Sequence, residues 1–310
     1  MNENQNASVI YHPLDKADVS ALELMKSAAL EFREKVTGSN ARLLYDQFVQ
    51  QTAPAEGISY KEDTIGGVNG WWCLPKNATP AKAFLYFHGG AYNVGSAFAY
   101  RNFVGHIASL SNTAVFIPGY RLAPENPYPA AVNDGKNIYL GLPENGYNKI
   151  SIVGDSAGGG LGLVILEFAT AKAARGECPK PVSAAVISPW TDLAFESPSL
   201  KSNAAVDMIL TEETLKQNAS GYLNNEKSKN PQVSPVYGNL DGLPPIQIHV
   251  GEAEILLDDS IRYATRASQT GVSIDLHVWE GMPHVFPSNV NKLKAANKAV
   301  GLIGSFLMEQ

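Results

Sequence analysis

Lys149 to Gly160 reads KISIVGDSAGGG, and this stretch decides the fold. Ile150, Ile152 and Val153 form a short β-branched run that stops at Gly154. A hydroxyl follows at Ser156, and an apolar helical pattern then begins with Leu161, Leu163, Val164, Ile165 and Leu166. The order is strand, tight turn, helix. Gly154, Ser156 and Gly158 give the spacing G-x-S-x-G, because a residue forced into a sharp strand-to-helix turn tolerates no bulky side chain two positions away on either side. Such a turn lifts Ser156 at a helix N-terminus, where backbone N–H groups stabilise negative charge. Taken alone, the pentapeptide also fits a serine N-cap on a glycine-rich turn, so its surroundings must decide.

Working outward, Ala83–Phe87 is a continuous apolar run suited to a strand buried on both faces, ending in His88-Gly89-Gly90-Ala91. Phe103, Ile107 and Leu110 mark a helix, Ala114–Pro118 a second buried strand, and the proline-rich block GYRLAPENPYPA a loop before a helix over Pro129–Leu142. Beyond Ser156, strands are predicted over Val182–Ser188, Ile246–Val250 and Ser273–Trp279, with helices over Asp258–Thr270 and Leu293–Met308. Residues 191–244 lose this rhythm and hold one helix, capped by Thr211 and running to Leu223. At the N-terminus, Leu14–Gln51 reads as a helical hairpin broken at Gly38-Ser39-Asn40 and preceding any sheet, and Ile58–Pro75 reads as a β-hairpin. Strands alternating with helices predict an α/β fold: one domain over residues 1–310, with a mostly parallel central sheet covered by helices on both faces.

The chain has 310 residues, 45% hydrophobic and 17% charged, and reads as globular with a large core. A formal charge of −6 supplies no basic field to gather phosphates, which argues against nucleic acid or an anionic membrane as partner. No basic segment followed by an apolar core opens the sequence, and no run of about 18 apolar residues occurs, so a cytoplasmic protein without stable membrane association is expected. Two cysteines give neither a disulfide framework nor a metal spacing, and Cys73, inside WWCLP, reads as a small buried hydrophobe. Neither a metal nor another cofactor is expected. The partner expected is a small, neutral molecule, with a homodimer as a further expectation.

Ligands of an open parallel sheet bind at the carboxyl ends of its strands. His88-Gly89-Gly90-Ala91, Ser156, Trp190, the acids from Glu252 to Asp259, and His284 each follow a predicted strand. Acyl transfer needs a nucleophile, a base within reach, a group that orients the base, and donors for the oxyanion. Ser156 is the candidate nucleophile. Among six histidines, His12 and His106 read as surface or packing residues, His249 and His277 as satisfied imidazoles within strands, and His88 as a brace for its glycine turn. His284 lies in GMPHVF, a loop just beyond a strand, as a base set against a serine requires. For the orienting acid, Glu254 is best placed. Asp258 and Asp259 open a helix, where capping and dipole compensation account for them. Gly89, Gly90 or Ala91, together with Ala157 at the helix N-terminus, supply candidate oxyanion donors.

These blocks resemble the hormone-sensitive-lipase-like branch of the α/β-hydrolases, the bacterial family of carboxylesterases. The resemblance runs from about Phe84 to the C-terminus and rests on HGGAYNVGS, YRLAPENPYPAA, GDSAGGG, ISPWTD, GEAEILLDD and GMPHVF. It implies a triad of Ser156, His284 and the acid after Gly251, an oxyanion site around Gly89, Gly90, Ala91 and Ala157, and a cap over the acyl pocket formed by the N-terminal helices (residues 1–55) and the 191–244 insertion. Two departures stand out. Ala91 replaces the last glycine of the family's HGGG turn; its N–H survives, but its methyl is expected to narrow the site or forbid a positive φ. Glu254-Ile255-Leu256 stands where the family has aspartate, proline and leucine, so Glu254 inherits the acid's role and Asp258 is the fallback.

The expected activity is a serine carboxylesterase acting on short- to medium-chain acyl esters through an acyl-enzyme. Tyr92, Trp190, Met208 and Leu210 are candidate pocket walls, with core packing as the competing role for Trp190. An amide or lactone hydrolase would use the same triad. A silent receptor on this scaffold, similar to the plant gibberellin receptors that resemble the family but lack the histidine, is the rival from another class; His284 argues against it.

Overall fold

The β-branched run ahead of Ser156 forms the middle of a nine-stranded sheet. The structure, a computed structural model, describes residues 8–35 and 41–310; the expected break at Gly38-Ser39-Asn40 lies outside them. In chain order, β1 (Ser8–His12) precedes α1 (Val19–Lys35) and α2 (Ala41–Val49), and the hairpin β2 (Ile58–Ile65) and β3 (Val68–Pro75) leads into β4 (Lys82–Phe87). Then follow α3 (Ala97–Ser111), β5 (Ala114–Pro118), α4 (Ala130–Gly141), β6 (Lys149–Asp155), α5 (Ser156–Ala173) and β7 (Ala184–Ile187). The chain closes with α6 (Ser199–Ser202), α7 (Glu212–Leu223), β8 (Ile246–Gly251), α8 (Leu257–Gln269), β9 (Ile274–Trp279) and α9 (Lys294–Glu309).

The strands lie in the order β1-β9-β8-β7-β6-β4-β5-β3-β2. All pairings are parallel except β2 with β3 and β3 with β5. Gly66 and Gly67 turn the hairpin with φ of 58° and 78°, the doubly left-handed geometry that a tight two-residue turn requires. The continuous apolar runs follow from burial on both faces. Phe84 and Tyr86 of β4 pack with α3 and α9, while Leu85 and Phe87 pack with α4 and α5. Each such side chain contributes about 1.5–3 kcal/mol relative to exposure. Helix α5 is apolar on all sides because its first eleven residues are all buried. Cys73 is fully buried beside Phe84 and Val115, as a small hydrophobe.

At the N-terminus the structure corrects the sequence reading: a strand, not a helix, comes first. β1 pairs in parallel with β9 from Ser8 opposite Asp275 to His12 opposite Trp279. A five-residue edge strand with one buried position shows almost no alternation, so the pattern hid it. Its anchor is a stack of rings. His12 Nε2 lies 2.8 Å from His277 Nδ1, and the His12 ring stacks on Trp279 at 3.8 Å. His277 stacks on His249 at 4.4 Å, and Trp279 Nε1 donates to His249 Nδ1 at 3.2 Å. His12 is thus a packing residue, and His249 is satisfied at both nitrogens; His277 Nε2 has no partner among the described residues.

Burial, with the neighbouring His277 and Lys298 adding to it, lowers His12 to about 4, and burial with Lys298 does the same to His277. The unfolded chain therefore binds protons that the folded one refuses. Stability from this cluster is complete above the ordinary imidazole value of 6.5 and is lost as pH falls towards about 4. Hydrogen exchange of residues 8–12, corrected for its intrinsic pH dependence, should accelerate across that window; equal protection at both ends contradicts the anchoring.

Candidate active site

Ser156 is the first residue of α5, directly after the last residue of β6, and takes a φ of 53°. A left-handed non-glycine residue costs about 1–2 kcal/mol, so the strand and helix on either side must impose it. The turn closes because Gly158 has no side chain: a Cβ there would lie 2.2 Å from the carbonyl oxygens of Phe87 and His88. Ser156 is no simple N-cap. Its hydroxyl meets His284 Nε2 at 2.9 Å, and His284 Nδ1 lies 2.6 Å from Glu254 Oε2. With Nδ1–H donating to the carboxylate, Nε2 is left to accept the serine proton.

Three strand ends supply these groups: β6 gives Ser156, the loop after β8 gives Glu254, and the loop after β9 gives His284. The glutamate is completely buried and held on its far oxygen, where Oε1 accepts the Ser188 hydroxyl and the Gly251 N–H, both at 2.7 Å. Ser188 Oγ also accepts the Val285 N–H at 3.1 Å, so one hydroxyl ties the acid to the loop that carries the base. From the insertion, Asp207 accepts the N–H groups of Ile209, Leu210 and Ile255, each at 2.8 Å, and fastens the 207–210 turn to the residue after Glu254.

Burial alone would discharge the His284 ring, but the charge of Glu254, its hydrogen bond and the more distant Asp207 and Asp155 outweigh burial and raise the pKa above the ordinary value. A base must be neutral to accept a proton. The acid limb of kcat/KM should therefore lie at higher pH than a free imidazole would set; a limb at or below that value contradicts this electrostatic account.

The fallback acid is engaged elsewhere. Asp258 accepts the Ser199 N–H at 2.7 Å. Asp259 accepts those of Thr191 and Asp192 at 2.8 and 2.9 Å, and burial raises its pKa to about 7. Both sit in the first turn of α8, as expected, but their oxygens hold the insertion rather than capping their own helix.

In the loop that follows β4, Gly90 and Ala91 turn with φ of 115° and 50°. The methyl of Ala91 does not prevent the left-handed conformation. The N–H groups of Gly90 and Ala91 have no acceptor among the described residues, and that of Ala157, in the first turn of α5, has none within its helix. Gly89 corrects the sequence reading: its N–H donates to Asp155 Oδ1 at 2.9 Å, so it is not free for an oxyanion. Asp155, to which the sequence reading gave no role, also accepts from Tyr86 at 2.7 Å and Tyr100 at 3.2 Å, and burial raises its pKa to about 6. His88 braces this turn as expected, through Nδ1 to the Gly89 carbonyl at 2.8 Å and stacking on Tyr120 at 4.4 Å. His106 is half-buried on α3 and bonds the Ala53 carbonyl.

Tyr92 and Trp190 are buried with ring centroids 6.2 Å apart, and the main-chain N–H of Trp190 donates to the Ser156 carbonyl at 2.9 Å. Trp190 is packed in the core. Met208 is buried and Leu210 half-buried, both in the turn held by Asp207. Ser188 and Asp207 escaped the sequence reading: a serine inside ISPWTD and an aspartate in the irregular insertion carry no periodic signal. No group of three or more His, Cys, Asp or Glu that could hold a metal occurs among the described residues, nor does a helix long and apolar enough to cross a membrane.

A family profile described as alpha/beta hydrolase fold matches residues 84–288. An acetyl-hydrolase of Streptomyces hygroscopicus is 34% identical over 79% of this chain and 81% of its own length. An esterase of Acinetobacter venetianus is 30% identical over 86% of this chain and 87% of its own. The crystal structure of an esterase from the bacterial hormone-sensitive lipase family superimposes with a TM-score of 0.88 at 34% identity, covering 94% of this chain and 98% of that one. A nine-stranded sheet with a serine at its central strand-to-helix turn, matched in this way, places the chain in the α/β-hydrolase fold family. Within it, the chain belongs to the hormone-sensitive-lipase-like branch.

Proposed function

We propose that this protein is a serine carboxylesterase acting on short- to medium-chain acyl esters. The observation that carries the reading is the unbroken path from Ser156 Oγ through His284 to Glu254, with contacts of 2.9 and 2.6 Å. Ser156 attacks the ester carbonyl while His284 Nε2 takes its proton, and Glu254 steadies the imidazolium. The N–H groups of Gly90, Ala91 and Ala157 receive the oxyanion; one such donor is worth about 10²–10³ in rate. His284 then protonates the departing alcohol, leaving an acyl-enzyme, and water activated by the same nitrogen releases the acid. The named activities of the relatives agree with this reading, and a base in place opposes a silent receptor.

Ser156 and His284 are only 8% and 6% exposed, and in this reading the approach to the hydroxyl is narrow and favours a small acyl group over emulsified lipid. The two segments expected as a cap, α1–α2 and residues 191–244, form its walls in this proposal, with Tyr92, Trp190, Met208 and Leu210 towards the acyl chain. A series of nitrophenyl esters from acetate to laurate tests this. Turnover should be highest for the short acyl groups; a maximum at laurate would contradict the narrow site. The matching anilides and a lactone, assayed alongside, should turn over far more slowly.

A further inference from the structure

The loop from Gly89 to Ser96 turns through three successive left-handed residues, with φ of 115°, 50° and 64° at Gly90, Ala91 and Tyr92. Two of these carry side chains, so the chain alone does not favour the shape, and groups outside the loop must hold it. Two distant segments do so. From α2, Arg42 Nε donates to the Asn93 carbonyl and Nη2 to the Ala123 carbonyl, both at 2.8 Å. The Ala123 N–H in turn donates to the Tyr92 carbonyl at 2.9 Å, and Glu125 orients the guanidinium. One turn along α2, Asp46 accepts the Ser96 hydroxyl at 2.7 Å. From α7, Asn218 Oδ1 accepts from Asn93 Nδ2 at 2.6 Å, and Tyr222 stacks on Tyr92 at 3.8 Å with planes 5° apart. Asn93, two residues past Ala91, is therefore gripped on its main chain by one segment and on its side chain by the other.

We infer that Arg42 and Asn218 are positioning residues for ester hydrolysis: by fixing Asn93 from two sides they aim the N–H groups of Gly90 and Ala91, so both flanking segments set the rate of the chemical step. This rests on the esterase reading above. Oxyanion donors help only if they are in place before charge develops, and a misplacement of about 1 Å can cost about 10²-fold. The Arg42–Glu125 ion pair is exposed and by itself contributes little. What matters is that the planar fork of arginine spans two carbonyls in a fixed geometry, which the flexible ammonium of lysine reproduces only in part.

The test compares Arg42→Ala, Arg42→Lys and Asn218→Ala with the wild type. Each alanine variant should lose about tenfold in kcat on a short nitrophenyl ester, with KM changed by less than about twofold, because ground-state binding is untouched. Inhibition by an alkylboronic acid, which becomes tetrahedral on the serine, should weaken in step with kcat/KM. Arg42→Lys should fall between, and the double alanine variant should lose less than the product of the singles, since both act on Asn93. Hydrogen exchange over residues 89–96 should quicken in every variant, an effect read without substrate. Exchange equal to wild type overturns the inference whatever the turnover; so does a raised KM at unchanged kcat, or a lowered Tm with kcat intact. A wild type that neither turns over esters nor reacts with a fluorophosphonate overturns the esterase reading instead, and the exchange result still decides whether the two segments hold the loop.

Discussion

Ser156→Ala should lower kcat on a short nitrophenyl ester by about 10⁶-fold, the loss seen when the nucleophile of a triad acting as a unit is removed. The fold should survive. Alanine meets the same left-handed turn at no greater strain, and among the described residues the hydroxyl bonds only His284 Nε2. Leaving that nitrogen unpaired costs about 1–3 kcal/mol at most. Circular dichroism should therefore match the wild type, and Tm should move by a few degrees. A folded variant with turnover near wild type would remove Ser156 from the chemistry.

Glu254→Gln should be nearly as damaging, with kcat lowered by about 10⁴-fold. The direction follows from which groups the carboxylate faces. Oε1 accepts two donors, the Ser188 hydroxyl and the Gly251 N–H, while Oε2 accepts His284 Nδ1–H. An amide keeps its oxygen towards the two donors and turns its NH2 to Nδ1. The imidazole must then carry its proton on Nε2, where it can no longer accept from Ser156. The structure stays intact and the base is held in the wrong tautomer. Glu254→Asp preserves the tautomer but shortens the reach by one methylene, so its loss should be much smaller. A glutamine variant as active as the aspartate variant would contradict the orienting role.

How much of this was legible in the sequence depended on whether a residue's position follows from local pattern. G-x-S-x-G could be read because only glycine fits beside the carbonyls of Phe87 and His88, and that constraint is written into two letters. His284 and Glu254 could be placed because a parallel sheet sends every loop after a strand to the same rim. β1 could not: five residues at an edge have no period, and what holds them is a ring stack with partners more than 230 residues away. Ser188, Asp155 and Asp207 were silent for a related reason. Their work is to satisfy N–H and O–H groups brought close by folding, and no spacing announces that. Gly89 illustrates the reverse error, a residue in the right motif whose one donor proved already engaged by Asp155. Ala91 shows that a motif's glycine preference is a cost rather than a prohibition, since it holds a φ of 50° in a loop gripped from outside.

The most direct test is to treat the protein with a fluorophosphonate and locate the adduct by peptide mass spectrometry. The reagent reacts with a serine whose proton a neighbouring base removes, while nearby donors receive the reagent's own phosphoryl oxygen. A single adduct on the peptide carrying Ser156, slowed by Glu254→Gln and absent in Ser156→Ala, is the predicted result. No adduct on the folded wild type, or labelling that persists undiminished in Ser156→Ala, would contradict the account.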